Sequence, residues 1–164
     1  MANRAPDFIK ILHTLCENEV DFIVVGGICA VLHGAPVSTF DLDIVHSRAP
    51  ENIQHLIGAL NQMDAFYRGR GEQRLVPESY HLASTGHHLL MTSYGPLDVL
   101  GSIGSGHDYT ELVDHSEEII VGDLQLRLLN LENLIQIKEE SASAKDRAVI
   151  PILQQTLKEK QKLE

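Results

Sequence analysis

Phe8, Ile11, Leu12 and Leu15 recur at helical spacing behind Pro6, which predicts a first amphipathic helix. Residues 20–25 read as a short buried strand. Gly26 and Gly27 turn it into a helix over about 28–33 that Gly34 stops. A loop over 36–39 then delivers a strand over 41–45, Asp-Leu-Asp-Ile-Val. Pro50 opens the next helix, whose buried stripe is Ile53, Leu56, Ile57 and Leu60. From 67 to 79 the chain is polar, with Arg68, Arg70 and Arg74 around Gly69 and Gly71, and predicts a mobile loop. Residues 87–93 and 97–100 pair as a hairpin through Tyr94, Gly95 and Pro96, and the glycines and serines of 101–106 make a flexible connector. A second hairpin, 118–121 with 124–128, folds about Gly122 and Asp123. Asn130 caps a helix carrying Leu131, Leu134 and Ile135. A last helix starts near Lys145 and passes Leu157, with Pro151 marking a kink or restart. The pattern predicts one α+β domain over 1–164, a small mixed sheet flanked by helices.

Side chains alternate along a strand, so Asp41 and Asp43 share one face while Leu42 and Ile44 take the other. Two carboxylates about 7 Å apart on one face repel unless a cation lies between them. Mg²⁺ or Mn²⁺ accepts such oxygen ligands and keeps room for substrate phosphates. The two glycines follow an apolar strand and open a helix, where backbone amides can approach a phosphate closely. Each half alone has an ordinary explanation, a solvated strand end or a turn; together they point to phosphoryl or nucleotidyl chemistry. Asp98 adds a third carboxylate between the inward Leu97 and Val99, as a two-ion centre requires.

Two further charges stand on apolar stripes. Lys138 extends Leu131, Leu134 and Ile135 at helical spacing, so it either snorkels from the end of the stripe or grips a phosphate. Asp146 leads Val149, Ile150 and Leu153, where helix polarity alone accommodates an acid and where it could also orient the lysine.

Composition narrows the partners. The net charge of −10 argues against a broad nucleic-acid footprint but leaves room for a nucleotide held by a metal ion. No apolar stretch reaches membrane length and no signal-peptide core opens the chain, which predicts a cytoplasmic protein with no membrane partner. Cys16 and Cys29 sit in apolar patterns and read as reduced thiols. The nine histidines show no ligand spacing and none is assigned to a metal. His46 reads as a packed residue and His33 as a partner of its helix C-terminus.

The segment 25–45, Val-Gly-Gly-Ile-Cys-Ala-Val-Leu-His-Gly-Ala-Pro-Val-Ser-Thr-Phe-Asp-Leu-Asp-Ile-Val, resembles the polymerase-beta-type nucleotidyltransferase superfamily. Within it the chain is most similar to the bacterial abortive-infection-type nucleotidyltransferase toxins and their small uncharacterised relatives. The likeness continues through Gly-Pro-Leu-Asp-Val-Leu-Gly at 95–101, Leu-Glu-Asn-Leu-Ile-Gln-Ile-Lys at 131–138 and Ala-Lys-Asp-Arg at 144–147. It implies that Gly26 and Gly27 line nucleotide phosphates, that Asp41, Asp43 and Asp98 hold the metal, and that Lys138 and Asp146 are accessory. Many relatives carry serine at the second glycine. Gly27 lacks that hydroxyl, and Ser38 or Thr39 is the candidate to replace it. Many also carry basic residues just before the aspartates, where this chain has Val37 and Phe40.

Three function classes follow. The first is a nucleotidyltransferase moving a nucleoside monophosphate from an NTP to a hydroxyl on RNA or protein, with a cognate antitoxin as partner if it belongs to a toxin–antitoxin pair. The second is a catalytically degenerate protein of the same fold that binds a nucleotide or a partner. The third, a metal-dependent phosphohydrolase, is disfavoured because no histidine-rich motif accompanies the aspartates.

Overall fold

The computed structural model describes residues 5–164. Helix α1 (Phe8–Glu17) is capped by Asp7, whose carboxylate accepts from the Lys10 amide at 3.1 Å. There follow β1 (Phe22–Val25), α2 (Gly26–Leu32), β2 (Leu42–His46), α3 (Pro50–Gln62) and β3 (Phe66–Tyr67). A one-turn helix α4 (Ser79–Leu82) leads to β4 (His87–Thr92) and β5 (Gly95–Leu100). Another short helix, α5 (Tyr109–Leu112), precedes β6 (Ser116–Val121) and β7 (Leu124–Leu129), and the chain ends in α6 (Leu131–Glu139) and α7 (Ala144–Lys162).

The seven strands form one mixed sheet in the order β3-β4-β5-β2-β1-β7-β6. Strands β2 and β5 run parallel, as do β1 and β7, and the other neighbours are antiparallel. At the centre the adjacent residues Ile44 and Val45 are both fully buried although they point to opposite faces, so both faces are covered there. Burying a side chain of this size stabilises the fold by about 1.5–3 kcal/mol. The chain thus commits its central strands to the core on both faces, and any charge they carry is placed against a steep desolvation cost.

Several boundaries differ from the pattern-based expectation. The glycines lie inside the first turn of α2 instead of preceding the helix. The β4–β5 turn is Ser93 and Tyr94, because Gly95 and Pro96 already pair with Thr92 and Met91. Strand β3 is two residues long, too short to show a period, and the polar 67–79 stretch begins on it. The 101–106 connector is held by a bridge from Ile103 to His107. Helix α7 runs through Pro151 without a break. Its missing amide is tolerated at an exposed stretch, where water can reach the carbonyl left without a donor. No helix of the described residues is long and apolar enough to cross a membrane.

Candidate functional site

The parallel pairing of β2 with β5 sets Asp43 directly beside Asp98, on the same face of the sheet. Asp41 lies in the bend that enters β2, one step outside the strand in which it was expected. One carboxylate oxygen from each of Asp41, Asp43 and Asp98 lies within 4.8 Å of the other two. The sequence-predicted triad therefore converges.

Crowding shows in the chemistry of these groups. Burial, then a hydrogen bond and repulsion from Asp98 and repulsion from Asp41, pushes the Asp43 carboxyl up to about 8. Burial and the Asp98 carboxylate also raise Asp41, against the pull of Arg68 and Lys145. Asp43 Oδ1 is buried and has no hydrogen-bond partner in the protein. A buried acceptor left unpaired is costly, and three oxygen donors around it are the ligand set that Mg²⁺ or Mn²⁺ prefers. The residues present fit such an ion.

The glycines fit tightly against this cluster. Gly26 has φ +69°, and a Cβ there would lie 2.1 Å from Asp43 Oδ2. Both the backbone conformation and the close approach thus require glycine. A Cβ on Gly27 would stand 2.5 Å from Thr39 Oγ1. The threonine hydroxyl occupies the ground a serine at 27 would need, and it donates to the Asp41 carbonyl at 3.0 Å. Gly26, Gly27, Ser38, Thr39, Asp41 and Asp43 line one side of a cleft of about 380 Å³, and Lys138, Lys145 and Asp146 line the other.

Lys138 leaves the apolar stripe of α6 for this cleft, with its side chain 21% exposed and Nζ 3.1 Å from Asp146 Oδ1. Burial alone would raise the Asp146 carboxyl, but hydrogen bonds from Ser141 and Lys138 hold it below the usual range. The structure thus brings all nine sequence-predicted site residues to one cleft or its rim.

Sequence reasoning missed three residues here, Lys145 of the cleft lining among them. Phe40 lines the mouth of the cleft and is 78% exposed; an aromatic flanking the aspartates was the available signal. Arg68, in a stretch expected to be a mobile loop, donates from Nη2 to Asp98 Oδ1 at 2.7 Å. Nothing in the sequence separated it from Arg70 and Arg74. His46 is packed as expected, with Nε2 against the Leu82 carbonyl at 2.7 Å. His33 is corrected: it does not serve its own helix end. Its buried ring reaches across to the Leu129 carbonyl of β7 at 2.8 Å, and burial lowers its pKa.

No protein-family model and no curated protein matches the sequence. Several solved structures share the fold, two of them as follows. One is a protein from Thermotoga maritima, TM1012, provisionally described as a nucleotidyltransferase. It aligns with a TM-score of 0.56 at 17% identity, over 93% of this chain and 91% of its own. The other is the lincosamide antibiotic adenylyltransferase LnuA, bound to lincomycin, with a TM-score of 0.58 at 17% identity over 90% of this chain and 94% of its own. The likeness to both is one of fold.

Proposed function

We propose that this chain transfers a nucleoside monophosphate from an NTP to a hydroxyl acceptor on RNA or protein, with Mg²⁺ or Mn²⁺ as the cofactor. The observation that carries this reading is the meeting of three carboxylates, one with a buried unpaired oxygen, at the edge of a cleft whose far wall holds Lys138. The fold shared with an adenylyltransferase supports it.

In this reading Asp41, Asp43 and Asp98 hold the metal. A divalent ion, when bound, neutralises the triphosphate and makes the acceptor hydroxyl a better nucleophile. Gly26 and Gly27 lack side chains where the phosphates lie, so the backbone can come close to them. Thr39, fixed by its bond to the Asp41 carbonyl, and the neighbouring Ser38 offer hydroxyls that Gly27 lacks. Lys138 meets the phosphates as a cation, and Asp146 keeps its ammonium aimed into the cleft. The acceptor oxygen bonds to the α-phosphorus, the bond to the β-phosphate oxygen breaks, and pyrophosphate departs. The acceptor proton passes to a triad carboxylate.

The resemblance to abortive-infection-type toxins adds a role in a toxin–antitoxin pair, for which a partner reading frame beside this one is the supporting sign. The reaction itself is tested with each α-labelled NTP, Mg²⁺, and total RNA or protein as acceptor. Label transfer with pyrophosphate release, absent from the Asp41→Asn/Asp43→Asn variant, supports the reading. Nucleotide binding without transfer to any acceptor points instead to a degenerate binding protein.

A further inference from the structure

Arg68 is held on the site by three bonds. Its amide donates to the Leu89 carbonyl at 2.9 Å, Nη1 to the Leu90 carbonyl at 2.6 Å, and Nη2 to Asp98 Oδ1 at 2.7 Å. The same Nη2 is 3.9 Å from Asp41 Oδ2. Two of these anchors are carbonyls of β4, so the guanidinium is fixed to the sheet and cannot swing away as a lone side chain on a loop could. Arg74, six residues on, shows the contrast: it turns away, donating to the Asp64 carbonyl and stacking over the Phe66 ring.

An arginine stays protonated at every physiological pH. Arg68 is therefore a permanent cation at the Asp98 end of the triad. Its hold is also uneven. Asp98 Oδ1 is taken, Asp41 lies at ion-pair distance only, and Asp43 Oδ1 is left with no partner. With all three carboxylates ionised, as a bound cation would hold them, the triad and one guanidinium sum to about −2, which one divalent ion neutralises and a second would overshoot. Lys138 is paired with Asp146, and Lys145, which also lines the cleft and pulls on both Asp41 and Asp146, only adds positive charge, so a second ion would overshoot further.

We propose that Arg68 occupies the second cation position of the three-carboxylate centre, so that the site binds one divalent ion, on Asp41 and Asp43, instead of two. This rests on the reading of the triad as a metal site. Arg68 is then a positioning residue: it fixes Asp98 and completes the charge that a second ion would supply.

The test is a Mn²⁺ titration of the full chain without nucleotide, followed by calorimetry and by the electron paramagnetic resonance signal of free Mn²⁺. Wild type should bind one ion, lost in Asp43→Asn. Arg68→Met should bind two, the first roughly tenfold more tightly than wild type. Arg68→Lys, which keeps the charge, should stay at one. Two ions on wild type, or one ion of unchanged affinity on a folded Arg68→Met, overturns the inference while leaving the metal site standing. No ion on wild type overturns both. If Arg68→Met does not fold, by far-ultraviolet circular dichroism, the wild-type stoichiometry and its Arg68→Lys counterpart still decide.

Discussion

Between β2 and β5 three carboxylates crowd together, two of them against one guanidinium, and an oxygen of the third stays buried without a partner. At the junction of the 101–107 turn with α6, two carboxylates also close on one imidazole. There His107 is held by Glu111 through Nδ1 and by Glu140 through Nε2, and Glu140 also accepts the Ser105 amide at 3.0 Å. Both clusters hold more acid than base, yet only one leaves a buried carboxylate oxygen without a partner. The Glu140 carboxylate lies at the surface, where water screens the excess, and its bonds to His107 and Ser105 hold its pKa below the ordinary range. Asp43 is shielded from water and pushed the other way, up to about 8. Burial, not the number of acids, separates a site that needs a cation from a clasp that fastens a turn.

The sharpest way to break that contrast is to remove the buried charge. Asp43→Asn should lower nucleotide transfer by about a hundredfold or more, as loss of a preorganised charge at a reacting centre does. Above about pH 8, where Asp43 is ionised, the metal-free variant should melt above wild type, since an amide ends the repulsion. Mg²⁺ at a hundred times its dissociation constant should stabilise wild type by about 2.7 kcal/mol and leave the variant unmoved. Thermal melts with and without Mg²⁺ check both; an equal response in the two proteins places the ion elsewhere.

Lys138→Met comes next. It keeps the apolar stem and should keep the fold, while NTP binding measured by calorimetry weakens by about 1.5–3 kcal/mol. Unchanged binding would show that the lysine merely snorkels.

A smaller effect probes the glycine side. Gly27→Ser pushes its Cβ to within 2.5 Å of Thr39 Oγ1 and 2.7 Å of Thr39 Cβ, so chemical denaturation should show a loss of about 1–3 kcal/mol. Adding Thr39→Ala should recover only the part due to the hydroxyl, because the Thr39 Cβ at 2.7 Å remains. Additive losses in the double variant would mean that the two positions do not compete for one space.

The clasp should respond least, and only in one pH window. His107 has a raised pKa, through its bonds to Glu140 and Glu111, so its contribution is full below the ordinary 6.5 and fades as pH rises past the folded value. Glu140 is lowered by His107 and the Ser105 amide, so its share is present above the ordinary 4.5 and is lost as pH falls. His107→Gln should therefore lower the melting temperature most between pH 4.5 and 6.5 and progressively less as pH rises through the folded His107 value. A pH-independent difference would assign the residue a packing role alone.

Local patterns carried much of this in the sequence. The helix cap at Asn130 and the tight turn at Gly122 are decided by residues within a few positions, and alternation along β2 put Asp41 and Asp43 on one face. Asp98 was legible because an acid between two core leucine and valine positions is costly without a purpose. What escaped depends on distant pairing. Strand β3 exists because Phe66 and Tyr67 pair with Met91 and Leu90, and that pairing alone carries Arg68 to the triad. His33 finds the Leu129 carbonyl only because β7 lies beside β1, a neighbour nearly a hundred residues on.

A crystal soaked with Mn²⁺ and a non-hydrolysable NTP analogue tests the central claim most directly. Anomalous scattering from the ion should appear against Asp41 and Asp43, with the triphosphate between Gly26–Gly27 and Lys138. A nucleotide bound away from this cleft, or a triad with no anomalous peak beside it, would contradict the account.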